Sequence, residues 1–389
     1  MRKKEPDGEA PEEMWMRDTC HVRHVTLRCT QSTIRDGGRD TRRSGSIIAS
    51  GVARHSSDSS PDTKLVDKTV EGVDIISCMP HEIIHYMFGA SQWKVLISSA
   101  GPESKAAAQL VRVDGIVDVI LRHLKKSDEE IAMEIAWIIV YLSALSDIAT
   151  SMLLKGGILQ LLVERLASSD SLQLLIPVLR SLGNLVSVDP KAMLTILIGG
   201  KNTEATDIPD VIPESVIGVL AKCLRSEHRV LKKEAAWVLS NIAAGSIEHK
   251  RMIHSTEEMP LLIELLSTSP FDIRKEVAYV LGNLCVESAE GDTKPRIIQE
   301  HLVSIVSGGC LPGFINLVRS PDIEAARLGL QFIELVLRGM PNGEGSMIVE
   351  GEDGIDAMER FQFHENEELR VMANSLVDKY FGEDYGINE

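Results

Sequence analysis

From about residue 101 onward, apolar residues recur at helical spacing in a two-part rhythm. Glycine-led apolar runs such as Gly115-Ile-Val-Asp-Val-Ile-Leu121 and Gly157-Ile-Leu-Gln-Leu-Leu162 each precede a longer apolar helix. The clearest long segment, Glu234-Ala-Ala-Trp-Val-Leu-Ser-Asn241, returns as Glu276-Val-Ala-Tyr-Val-Leu-Gly-Asn283. On a helix, positions i, i+3 and i+7 share a face, so Glu234, Trp237 and Asn241 project together while Ala235, Ala236, Leu239 and Ile242 turn inward. The pattern predicts a carboxylate, an aromatic ring and a carboxamide displayed side by side on a surface, repeated on the next such helix.

In this register the Trp position falls at Trp137, Arg180, Trp237, Tyr279 and Arg327, and the Asn position at Tyr141, Asn184, Asn241, Asn283 and Gln331. Steps of 43, 57, 42 and 48 residues fit armadillo or HEAT repeats of about 40 to 47 residues better than the shorter ankyrin or tetratricopeptide units. The long step contains Gly199-Gly-Lys-Asn-Thr-Glu-Ala-Thr-Asp-Ile-Pro-Asp-Val-Ile-Pro213, whose glycines, prolines and turn-formers mark an inserted loop near 199–213. A second irregular stretch, Gly339 to Gly345, precedes the last helices, which close with an acidic end at Lys379-Tyr-Phe-Gly-Glu-Asp384. The expected fold is all-α: a solenoid of about six repeats over residues 101–389, with 1–78 a disordered leader and 79–100 a junction helix. Residues 56–61, Ser-Ser-Asp-Ser-Ser-Pro, typify the low complexity of the leader.

Composition narrows the function. The chain of 389 residues exceeds what one compact core usually fills, and it is 44% hydrophobic but only 4% aromatic, so burial falls to Leu, Ile, Val and Ala on helices packed against helices. A formal net charge of -16 argues against nucleic acid and favours a basic partner. The six cysteines, Cys20, Cys29, Cys78, Cys223, Cys285 and Cys310, are too dilute for a disulfide scaffold and read as reduced thiols, which places the chain in cytoplasm and nucleus. No apolar run reaches the roughly 20 residues that span a bilayer, so no membrane partner is expected.

The repeated polar residues suggest a peptide site. A carboxamide offers both donor and acceptor, so a row formed by Asn184, Asn241 and Asn283 can hold the backbone of an extended peptide whatever its sequence. Aromatic rings at Trp137, Trp237 and Tyr279 form slots for the methylene stems of Lys or Arg and attract the cationic heads through their faces. Glu134, Glu234 and Glu276 supply negative charge at the slot ends. Arg180 and Arg327 interrupt the aromatic row.

At these residues a resemblance emerges. Lys232-Lys-Glu-Ala-Ala-Trp-Val-Leu-Ser-Asn-Ile-Ala-Ala-Gly245 resembles the third-helix signature of the importin alpha family of armadillo adaptors, and Trp137-Ile-Ile-Val-Tyr-Leu-Ser143, Leu179-Arg-Ser-Leu-Gly-Asn184 and Lys379-Tyr-Phe-Gly-Glu383 follow in the family's order. The resemblance is strongest to a divergent plant subgroup and covers about residues 101–389. It implies a right-handed superhelix that receives basic nuclear localisation signals of cargo proteins, with Trp237, Asn241, Tyr279 and Asn283 at the minor site. Arg180 and Asn184 match a central repeat, Trp137 and Tyr141 the one before it, and Tyr279 replaces the usual Trp and makes a shallower slot. By repeat order this chain corresponds to the later six repeats. The family implies importin beta, which docks on a basic front segment, and an export receptor on the C-terminal repeats. Residues 1–78 hold no comparable Arg/Lys-dense helix, so importin beta follows from the family and not from this leader.

Two competing readings are weaker. A scaffold of the catenin type would bind other extended segments, acidic ones, without a transport role, but its groove should carry Lys and Arg where this ladder carries Glu. His81-Glu-Ile-Ile-His85 satisfies the HExxH zinc pattern, yet it sits between Pro80 and Gly89, on a short helix at best, and no third-ligand motif follows. No phosphate loop, nucleophile elbow or paired-carboxylate motif is present, so neither an enzyme nor a cofactor is expected.

Overall fold

The computed structural model describes residues 105–126, 128–188, 216–287 and 295–382. Among these the regular structure is helical and no strand occurs. The first repeat contains α1 (Lys105–Leu110), α2 (Ile116–Lys125) and α3 (Glu129–Leu145), and the second α4 (Asp147–Lys155), α5 (Ile158–Ser168) and α6 (Leu172–Val188). The third contributes α7 (Val216–Arg225) and α8 (Arg229–Ala243), and the fourth α9 (Ile247–His254), α10 (Met259–Thr268) and α11 (Phe271–Leu284). The fifth has α12 (Pro295–Ser307), α13 (Leu311–Val318) and α14 (Ile323–Gly339), and the last α15 (Gly345–Gly351), α16 (Gly354–Glu359) and α17 (Glu367–Phe381).

Local chemistry sets these boundaries. The glycines heading the short apolar runs turn the corner into the second helix: Gly157 has φ 82, a left-handed conformation in which a Cβ would be strained. Asp353 takes the same role before α16 at φ 58, which a short polar side chain tolerates better than most. Three of the third helices, α3, α14 and α17, begin at side-chain caps. Asp128 accepts from the Ile131 amide at 3.2 Å, Asp322 from Ala325 at 2.7 Å and Asn366 from Leu369 at 3.1 Å. The irregular stretch after α14 is a 3-10 turn at Pro341–Gly343 with Asn342 at φ 56.

Packing follows from the repeat. Helices α3, α6, α8, α11, α14 and α17 lie against one another in succession, including α6 against α8 across the 57-residue step. The inserted loop, the leader, the junction helix, His81 and His85 lie outside the described residues. Each inner third helix is flanked on both sides, and α11 accordingly buries every residue from Val277 to Leu284. No single described helix is long and apolar enough to cross a membrane.

One buried cation ties this stack together. Lys250 on α9 is 1% exposed, and its Nζ donates to the carbonyls of Ala243 and Asn283, both at 2.6 Å. Those acceptors close α8 and α11, where unsatisfied carbonyls concentrate partial negative charge. Burial lowers the ammonium to about 8. Lys250→Ala leaves both carbonyls unpartnered beside a cavity and is expected to cost about 2–4 kcal/mol, read as a lower urea midpoint.

Candidate peptide-binding stripe

The asparagines form a regular ladder. Asn184 Nδ2 donates to the Val140 carbonyl at 3.2 Å and to Ser143 Oγ at 3.2 Å. Asn241 Nδ2 donates to the Gly183 carbonyl at 3.2 Å, and Asn283 Nδ2 to the Ser240 carbonyl at 3.1 Å. In each case the acceptor residue immediately precedes the register position on the previous third helix. A carboxamide has two N–H donors and an oxygen with two lone pairs, so each Asn spends part of its donor capacity joining repeats.

The expected surface display needs correction. Glu234, Trp237 and Tyr279 are 7%, 8% and 6% exposed, and Asn184 and Asn283 are buried as well. The reason is the double flanking of each third helix: a residue beside the open stripe is covered by the next repeat, and an amphipathic reading with a single buried face underestimates this. Asn241, Glu134, Trp137 and Tyr141 remain half-buried.

The charges are also less free than expected. Glu234 accepts from Arg180 Nε at 3.0 Å and Nη2 at 2.8 Å. The same guanidinium lies 5.5 Å from the Trp137 ring centroid, and Trp137 stacks on Tyr141 at 6.1 Å. The slot beside Trp137 therefore already holds a cation, supplied by the next repeat. Further on, Arg229 pairs with Asp272 at 2.9 Å, Lys275 with Asp322 at 3.5 Å and with Glu324, and Arg327 with Glu368 at 2.6 Å. The Tyr279 hydroxyl donates to Glu324 Oε1 at 2.7 Å. These ties between third helices were missed in the sequence. Basic residues and Asp or Glu near the helix starts were the available signal, but the pairing depends on how neighbouring helices are rotated.

Comparison with known proteins decides the family. A match to the Armadillo/beta-catenin-like repeat covers residues 206–244, including all of α7 and α8. The chain is 85% identical over 297 residues to Importin subunit alpha-9 of Arabidopsis thaliana, covering 76% of this chain and 56% of that protein. It is 54% identical to Importin subunit alpha-2 of Oryza sativa subsp. japonica, covering 76% and 54% respectively. The chain belongs to the importin alpha family. It spans about half the length of these curated relatives. A designed armadillo repeat protein solved in complex with the peptide (KR)4 has TM-score 0.56 at 18% identity, covering 68% of this chain and 99% of its own, which supports the armadillo fold.

Within this importin alpha array, four buried side-chain polar atoms on the adjacent helices α8 and α11 have no hydrogen-bond partner among the described residues: Trp237 Nε1, Arg274 Nε, Glu276 Oε2 and Asn283 Oδ1, of which all but Arg274 belong to the repeated register. A donor, a carboxylate oxygen and a carbonyl oxygen of the register thus lie unmatched inside the array. Burial pushes the Glu276 carboxyl up to about 7; Glu234 and Glu324 reinforce the rise, and Lys233 and Lys275 oppose it. Among the described residues no cluster of three or more His, Cys, Asp or Glu could hold a metal.

The raised Glu276 carboxyl gives a signed expectation. Folded protein holds this proton more tightly than unfolded protein, so its contribution to stability is full below about 4.5 and is lost as pH rises through about 7. Glu276→Gln stays neutral and should raise the melting temperature relative to wild type at pH 8, with the difference vanishing near pH 4. An equal difference at both pH values refutes the assignment.

Proposed function

We propose that this chain is a nuclear import adaptor whose third helices receive basic, extended localisation peptides of cargo proteins. The observation that carries the reading is the register itself: Asn184, Asn241 and Asn283 recur on successive third helices, each tied by Nδ2 to the helix before it, with the rings of Trp237 and Tyr279 repeating four residues earlier on their helices. A peptide in extended conformation presents backbone N–H groups to a carboxamide oxygen and carbonyls to an indole N–H, and a Lys or Arg head satisfies a carboxylate. Tyr279 and Trp237 then supply apolar walls for the side-chain stems. Asn184 and Asn241 continue the row toward the front of the array, where Arg180 already fills the place beside Trp137 and makes that stretch a weaker cation site than Glu134, Trp137 and Tyr141 alone suggest.

Family membership supports the transport role, and the fold accommodates such a ligand, since a designed protein of this fold was solved with (KR)4. In this reading the protein moves between cytoplasm and nucleus, acts without catalysis, and offers its C-terminal repeats to an export receptor; no described residue is assigned to importin beta. Titrating a fluorescent Lys/Arg-rich localisation peptide should give saturable binding that weakens with added salt. The combined variant Trp237→Ala, Asn241→Ala should bind at least about tenfold more weakly. Equal binding by wild type and variant sinks the proposal.

A further inference from the structure

The residue just before one register position has two roles visible in the geometry. At Gly183 on α6, an added Cβ would lie 2.2 Å from Trp237 Cζ3 and 2.7 Å from Cε3 and Cη2, so the indole of the next repeat rests directly on the glycine. The Gly183 carbonyl also accepts from Asn241 Nδ2 at 3.2 Å. One residue therefore seats both the ring and the carboxamide of the following rung. At the next rung the seat is Ser240, whose carbonyl accepts from Asn283 Nδ2 at 3.1 Å, and the ring is the smaller Tyr279. Where Val140 occupies the seat, the following helix carries Arg180, whose guanidinium turns to Trp137 and Glu234.

In the sequence the seat grows as the following register residue shrinks at three successive steps, Gly183 with Trp237, Ser240 with Tyr279 and Val140 with Arg180, and the direct contact is the one between Gly183 and Trp237. Close packing explains the Gly183 and Trp237 pair, because a ring that rests on the backbone of the neighbouring helix leaves no room for a Cβ there. A small seat permits a ring but does not supply one: Gly282 precedes Asn283, and the following helix carries Arg327, paired with Glu368.

We propose that the seat residue determines which side-chain slot the next repeat can form, and that Gly183 is the specificity-determining residue for the slot at Trp237. This rests on the peptide-binding reading above and deepens it: the ligand side chain concerned is a Lys or Arg whose methylene stem lies along the ring. Alanine is a better helix former than glycine, so any loss on Gly183→Ala reflects the displaced ring and not the helix.

The test is a double-mutant cycle on the full chain with Gly183→Ala, Trp237→Tyr and both together, each measured by thermal melting and by titration with the fluorescent Lys/Arg-rich peptide. Gly183→Ala should weaken binding at least about tenfold and lower the melting temperature. The double variant, which approximates the chain's own Ser240 and Tyr279 pair, should melt above Gly183→Ala and bind no worse than Trp237→Tyr. Strictly additive losses, or Gly183→Ala behaving as wild type, overturn the inference. If wild type fails to bind the peptide, the peptide-binding reading falls and the specificity assignment falls with it, whereas coupling in the melting data alone still shows that the seat positions the ring. A binding wild type without coupling overturns the inference and leaves the peptide reading standing.

Discussion

The structure depends on one constraint: every inner third helix is held between two others, and the gap on each side must be filled and hydrogen-bonded. A helix with a single buried face can present a wide polar surface. A helix with two such flanks keeps only a narrow stripe. The carboxamides follow from that restriction, because Asn184, Asn241 and Asn283 are placed where Nδ2 reaches a carbonyl on the preceding helix. An apolar side chain would leave the same stripe without directional polar groups. The ladder is consequently a joint between repeats before it is anything else, and its capacity to hold a ligand is what remains after that joint is made.

Electrostatics repeats this logic. The net charge of -16 favours approach of a basic partner at long range, yet along the stripe most of the charge is already cancelled. Arg180 neutralises Glu234, Lys275 neutralises Glu324, and Arg327 neutralises Glu368. Glu276 differs because one of its oxygens is buried without a partner, between Lys233 and Lys275 on one hand and Glu234 and Glu324 on the other. Near neutral pH such a carboxyl is divided between its two protonation states, and an arriving guanidinium or ammonium favours the ionised one. Net charge therefore speaks to encounter, whereas in the peptide-binding proposal affinity rests on the few groups that the array's own ion pairs leave over.

Much of this was legible in the sequence. The period of about 42 residues, the glycine-led second helices and the aligned Trp and Asn positions gave the solenoid and its register, because inward apolar spacing and left-handed glycines act locally. Burial was less legible. Trp237 looked superfluous to the core because Ala235, Ala236, Leu239 and Ile242 already filled the inward face; it is buried nonetheless, against Gly183 of another repeat. The ion pairs escaped for the same reason. Arg180 and Glu234 are 54 residues apart, and nothing in local spacing says that one guanidinium will stack on Trp137 behind it and pair with Glu234 ahead. Side chains that cross from one repeat to the next are set by helix rotation, which periodicity does not encode.

The unmatched atoms carry an energetic implication. A buried polar group without a partner costs about 1–3 kcal/mol, and a chain whose caps, turns and core all agree could have filled these places with apolar side chains at no loss of fold. Instead Trp237 Nε1, Glu276 Oε2 and Asn283 Oδ1 fall on two adjacent helices, α8 and α11, whose C-termini share the Lys250 clamp. That clamp fixes the two helices relative to one another through the Ala243 and Asn283 carbonyls, so the side chains on the stripe cannot relieve their unmatched atoms by a shift of one helix against the other. Under the peptide-binding proposal, a ligand reaches these atoms only when a side chain on the stripe rotates, since all three are closed off from solvent. Rigid backbone and unsatisfied side chains are thus two halves of one arrangement: the first preserves the geometry, and the second keeps a local energetic cost within it.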